Sequence, residues 1–265
     1  MTTEPTSDPV FFLGGHDLEM LEIRRVLEAH ASRFHDGGLR WGAKASAYRR
    51  EIEECLSARS IPVLIELEDD LGIDPSERIV VDHHGAAAGE DAPTSLEQVI
   101  ALLGLAPTGM TRRQRLIAAN DRGHIVALRD AGATNEEVAA IRAEDRAAQG
   151  ITEEEEVAAA NAVREAESRC GGRLTLVRCP HSRLAAISDR LEDALGGPGY
   201  RNLLVLSPVE VNFSGAGSVV LALRDGLPGS WSGGALPERG YWGVAPVPEG
   251  IVDLVEHLVG LQERP

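Results

Sequence analysis

Cysteine is sparse in this chain: three copies, Cys55, Cys170 and Cys179, lie far apart and none shares a C-x-x-C spacing. An odd, scattered set argues against a disulfide framework and against a thiolate zinc site. Long apolar runs are missing too, since none approaches the roughly 18 residues that a membrane-crossing helix needs. The opening Met1-Thr2-Thr3-Glu4-Pro5 has no basic stretch of the kind that begins a secretory signal. The expectation is a reduced, cytoplasmic protein with no membrane partner. Basic residues are few, 26 against 42 acidic, for a formal net charge of -16. A field of that sign repels polyanions, so a long nucleic-acid strand is a poor partner, while a local pocket for a small anion stays open. Aromatics make up only 4% of the chain, yet Trp231, Tyr241 and Trp242 fall close together. Packing of a small domain is the first expectation for them, and a stacking wall for a ring the second.

At 265 residues the chain can form one large domain or two modest ones. Pro9-Val10-Phe11-Phe12-Leu13 reads as a buried strand that breaks at Gly14-Gly15, followed by helical spacing of Leu18, Leu21, Ile23, Val26 and Leu27. Further strands are expected around Leu39–Gly42, over Ile61–Leu67 and over Ile79–Val81, with an exposed helix from Ser46 to Ala58. Strands alternating with helices imply an α/β fold with a parallel sheet covered on both faces. Helices follow from Ser95 to Leu105, Arg112 to Ala119, Asn135 to Gln149 and Thr152 to Cys170, the run Glu153 to Glu156 reading as a solvated helix start. Beyond Cys170-Gly171-Gly172, strands are expected at Leu174–Val177, Leu203–Leu206 and Ser218–Leu223, with a helix near His181 to Ala194. The boundaries drawn are residues 1–165 for the first domain and 166–265 for a smaller α/β domain.

The chemistry gathers where apolar runs stop. His16-Asp17-Leu18-Glu19 follows the first strand, Glu66 with Glu68-Asp69-Asp70 the third, Asp82-His83-His84-Gly85 the fourth, and Asn120-Asp121 the helix from Arg112. In a parallel sheet the C-terminal edge of the strands is where ligands bind. Carboxylates and imidazoles suit Mn²⁺, Mg²⁺, Fe²⁺ or Zn²⁺, and crowded carboxylates repel one another unless a cation sits among them. The alternatives are ordinary ones: a polar turn for His83 and His84, a cap for Asp121, a solvated strand end for Glu66 or Glu68, a turn residue for His16. Arg122 and Arg146 read as surface ion-pair partners.

With these residues in place the sequence resembles the DHH phosphoesterase superfamily, which includes RecJ-like nucleases, cyclic-dinucleotide and oligoribonucleotide phosphodiesterases, and family II inorganic pyrophosphatases. Val81-Asp82-His83-His84-Gly85 is similar to the motif that names the family, Asn120-Asp121-Arg122-Gly123 to the segment carrying its late aspartate, and Ser230-Trp231-Ser232-Gly233-Gly234-Ala235 to the glycine-rich substrate loop. The resemblance implies metal ligation by Asp17, Glu19, Glu66 (or else Glu68), His83 and Asp121. Asp82 would hold His83, and His84 would face the substrate phosphate. His16, Gly233, Gly234 and Arg239 would contact the substrate in a cleft between the two domains. The chain departs from the family pattern in three ways: Gly15 and Leu13 stand where its first motif has histidine, glutamates stand for two aspartates, and Ala235 replaces the histidine of the glycine loop. The implied activity is metal-dependent hydrolysis of a phosphoester or phosphoanhydride in a small, nucleotide-sized substrate, most readily with Mn²⁺. The other readings are an altered one-metal site with different chemistry and a non-catalytic nucleotide-binding module. A homodimer is an assembly left open.

Overall fold

The computed structural model describes residues 8–83 and 92–262, which fall into two compact units, Met1–Gln149 and Gly150–Pro265. The first is organised by four parallel strands: β1 (Pro9–Gly15), β2 (Arg33–Leu39), β3 (Ile61–Ile65) and β4 (Ile79–Val81), in the order β2-β1-β3-β4. Helix α1 (Leu18–Ala29) follows β1, α2 (Arg49–Ser57) precedes β3, and α3 (Ser95–Leu102), α4 (Arg112–Asp130) and α5 (Asn135–Ala148) complete the unit. Val10, Phe12 and Leu64 pack with Tyr48, Ile52 and Cys55 on one face of the sheet. Their alternating neighbours Phe11, Leu13, Val63 and Ile65 are wholly buried on the other. Each such side chain contributes about 1.5–3 kcal/mol relative to exposure.

The order of the strands decides where the chemistry sits. From β1 the chain runs to β2 on one side and then returns to β3 on the other, so the connections diverge between β1 and β3. A crevice opens at the carboxyl ends of two strands whose connections part in this way. Here the two backbones come close: a Cβ built on Gly14 would lie 2.3 Å from the carbonyl oxygen of Glu66. Only a glycine fits. Gly14→Ala is therefore expected to cost about 1–3 kcal/mol through forced backbone displacement, read as a lower urea midpoint, and to push Glu66 out of place.

The second unit holds a mixed six-stranded sheet. It comprises β5 (Glu167–Arg169), β6 (Leu174–Arg178), β7 (Leu203–Leu206), β8 (Val211–Ala216), β9 (Trp231–Gly233) and β10 (Arg239–Val244), ordered β5-β6-β7-β8-β10-β9. Leu174, Leu176, Leu204, Phe213 and Trp242 meet helices α8 (Gly217–Gly226) and α9 (Ile251–Leu261) on one face. Val177, Leu203 and Val205 meet α6 (Glu153–Arg164) and α7 (Leu184–Leu191) on the other. Because Ala159 and Ala162 belong to that core, α6 packs with the second unit rather than ending the first.

Several elements differ from the sequence reading. The segment Ser218–Leu223, expected as a strand, is helical within α8; a short run of Val, Leu and Ala looks alike in a buried strand and a buried helix. The second strand is Arg33–Leu39, upstream of the expected Leu39–Gly42, and its polar RFHDGGL composition carries no strand signal. The helix expected to run to Cys170 stops at Arg164 and gives way to β5. Trp242 is fully buried, while Trp231 and Tyr241 are exposed on the β9–β10 hairpin, each opposite a glycine. No helix among the described residues is long and apolar enough to cross a membrane.

Candidate metal centre

Four of the residues singled out in the sequence converge. Glu19, Glu66, His83 and Asp121 each present one ligand-type atom, and these atoms all lie within 4.8 Å of one another. Each comes from a different element. Glu19 is in the first turn of α1, where the unpaired N–H groups and the helix dipole favour a carboxylate. Glu66 follows β3 directly and takes a left-handed φ of 50°, a conformation that costs a non-glycine residue about 1 kcal/mol or more. His83 follows β4, and Nε2 of its imidazole is 3.7 Å from Glu19 Oε2 and 3.8 Å from Glu66 Oε1. Its closest contact is with Asp121 Oδ2. Asp121 stands just before a break in α4, where Gly123 leaves helical geometry and His124 adopts φ 50°.

The carboxylates are held from behind. Ser95 Oγ donates to Glu66 Oε1 at 2.8 Å, and the Leu96 N–H donates to Glu19 Oε1 at 3.1 Å, both from the start of α3. Glu19 is 2% exposed, and its Oε2 has no hydrogen-bond partner among the described residues although it points into the cluster. A buried charge of that kind is costly unless something positive meets it. Burial, and after it the charges of Asp121 and Glu66, push the Glu19 carboxyl well above its ordinary range. Asp17 is raised by the same causes in the same order. The residues therefore fit a divalent cation: three carboxylates and one imidazole, converging on one point and mutually repulsive without it.

The upward shifts set a sign for pH dependence. An acid whose folded pKa exceeds its unfolded value stabilises the fold fully below the unfolded value, and that stability is lost as pH rises through the folded one. Asp17 and Glu19, with ordinary values of 3.8 and 4.5, thus make the metal-free protein less stable at pH 8 than at pH 5. Thermal melts in chelator should show that fall, and added Mn²⁺ should remove it, because ligation needs the deprotonated carboxylates.

The remaining expected residues are not among the four that converge. Asp17 is the N-cap of α1, its Oδ1 accepting the Met20 N–H at 2.8 Å. His16 is half-buried, and its backbone N–H donates to the Leu39 carbonyl. Asp82 is half-buried, with its carbonyl accepting from Gln98 Nε2 at 3.0 Å. His84 lies outside the described residues. Glu68 is exposed and pairs with Lys44. Gly233, Gly234 and Arg239 are in the second unit. A Cβ on Gly233 would meet the Tyr241 ring, and one on Gly234 would meet the Gly240 backbone; Arg239 donates to the Arg201 carbonyl and lies over the Tyr200 ring.

Sequence reasoning missed the residues behind Asp121. Arg142, 3% exposed, donates from one nitrogen to Asn120 Oδ1 at 3.0 Å and Asp145 Oδ2 at 2.9 Å, and that nitrogen is 3.3 Å from His124 Nδ1. The guanidinium thus bridges both sides of the α4 break to α5. Nothing in the spacing of α5 distinguishes Arg142 from a surface arginine.

Comparison with solved structures places this architecture. The crystal structure of RecJ in complex with Mn²⁺ from Thermus thermophilus superposes with a TM-score of 0.50 at 14% identity, over 98% of this chain and 53% of that one. The fold is RecJ-like. Also similar are the crystal structure of exonuclease RecJ bound to manganese, with a TM-score of 0.46, 15% identity and coverage of 98% and 91%, and the Thermus RecJ complex with Mg²⁺, with a TM-score of 0.49, 14% identity and coverage of 96% and 49%. The chain spans about half the length of the two Thermus RecJ chains. No family model matches the sequence, and no curated protein matches it. The RecJ-like fold is thus visible in three dimensions and not in overall sequence similarity.

Proposed function

We propose that this protein is a metal-dependent phosphohydrolase that cleaves a phosphoester or phosphoanhydride of a small, nucleotide-sized substrate. The observation that carries the reading is the convergence of Glu19, Glu66, His83 and Asp121 at the strand ends of a RecJ-like sheet. These four side chains would hold the cation, with Mn²⁺ the leading choice because it accepts carboxylate and imidazole alike; the RecJ structures contain manganese or magnesium. A bound divalent ion supplies water activation and neutralises charge building on phosphorus. The chain's own contribution is placement: Ser95 fixes the Glu66 carboxylate, α3 fixes Glu19, and the broken α4 aims Asp121. The net charge of -16 supports a small substrate over a long strand.

The test is phosphate release from a panel of nucleotides, cyclic dinucleotides, dinucleotides and pyrophosphate by the Mn²⁺-loaded full chain, beside Glu19→Gln. Turnover of a member of the panel, absent in the variant, supports the proposal. No turnover of any member, or equal turnover by both proteins, overturns it.

A further inference from the structure

We infer that the centre is built for one divalent cation rather than two. The inference rests on the metal-site reading above and sharpens it. Ligand atoms around a single ion sit about 2.0–2.2 Å from it, so they lie at most about twice that from one another. The mutual limit of 4.8 Å among the four ligand atoms is within a few tenths of an ångström of that span, so small side-chain shifts bring all four onto one ion. A second ion about 3.5–4 Å away needs its own donors, and several nearby acids of the described residues already have other partners. Asp17 caps α1 through Oδ1. Asp145 takes Arg142 and the Leu18 N–H. Glu22 takes Gln114 and Arg25. Glu68 is exposed beside Lys44. Leu13 and Gly15 have no ligand atom in their side chains. Glu19 Oε2, buried and without a hydrogen-bond partner among the described residues, points to the shared centre of the four and not to a second one.

The consequence concerns Asp17. If it serves the helix and not the ion, Asp17→Asn, which preserves the cap because asparagine caps as well as aspartate does, leaves the metal count unchanged. The experiment is titration of the chelator-stripped full chain with Mn²⁺, following the electron paramagnetic resonance signal of unbound ion. One ion per chain is expected for the parent, with no exchange-coupled spectrum, and one ion for Asp17→Asn at an affinity within about threefold. Two ions in the parent, or loss of an ion in Asp17→Asn, overturns the single-ion inference while leaving a metal site in place. No bound ion overturns the inference and the metal-site reading together.

Discussion

Arg142→Ala is expected to destabilise the first unit by about 3–5 kcal/mol, the cost typical of breaking a buried ion pair from one side. The guanidinium and Asp145 are both nearly sealed from water, at 3% and 4% exposure. Removing the arginine strands the Asp145 carboxylate with the Leu18 N–H at 3.4 Å and Gln149 Nε2 at 3.2 Å. Asn120 loses its donor at the same time. For a unit of this size the loss corresponds to a fall in melting temperature of roughly 10 °C, measured on the unfolding transition of the first unit. An apolar pair of similar bulk, Arg142→Met with Asp145→Leu, should restore part of the loss, since the single variant pays mainly for an unpaired buried charge. If Arg142→Ala melts within about 1 °C of the parent, the bridge across α4 contributes little and the break is held by packing alone.

Glu19→Gln should separate folding from metal binding. Glutamine keeps an oxygen for the Leu96 N–H, so the contact with α3 survives, while the carboxylate charge next to Glu66 and Asp121 disappears. Without metal, the variant is expected to be more stable than the parent at pH 8, above the ordinary carboxyl range, where burial of the Glu19 carboxyl works against the fold. It should also lose much of the fall in stability between pH 5 and pH 8. With metal the order reverses. Loss of residues that merely orient a ligand costs about 10–100-fold in affinity, so loss of a ligand charge should weaken Mn²⁺ binding by more than about 100-fold. Parallel calorimetric titrations and chelator melts read both effects. A variant that is less stable without metal and binds Mn²⁺ as the parent does would show that Glu19 is a structural acid.

The sequence displayed the site more clearly than the fold around it. Short apolar strands that stop at acids are legible because parallel pairing carries their ends to one edge, as with Ile61–Ile65 before Glu66 and Ile79–Val81 before His83. Glu19 was legible for the same reason, one helical turn after β1. Asp17 shows what a D-x-E pair does not display: the start of a helix also has N–H groups to satisfy, and Asp17 Oδ1 takes one of them. Arg142 was invisible, since burial of an arginine depends on partners brought by α4, far away in sequence. The edge strand β2 was hidden by its polar composition, because an edge gains less from apolar side chains than a central strand does. Gly233 and Gly234, singled out for a phosphate, have a packing reason in the hairpin as well.

The four converging side chains belong to the start of α1, the end of β3, the end of β4 and the middle of α4. An ion held by all four is a removable cross-link that closes three successive loops of the chain at one point. Such closures withdraw conformational freedom from the unfolded ensemble. Chelation would then do more than silence chemistry: it would release α4 from the sheet edge and open the connections between those elements to proteases.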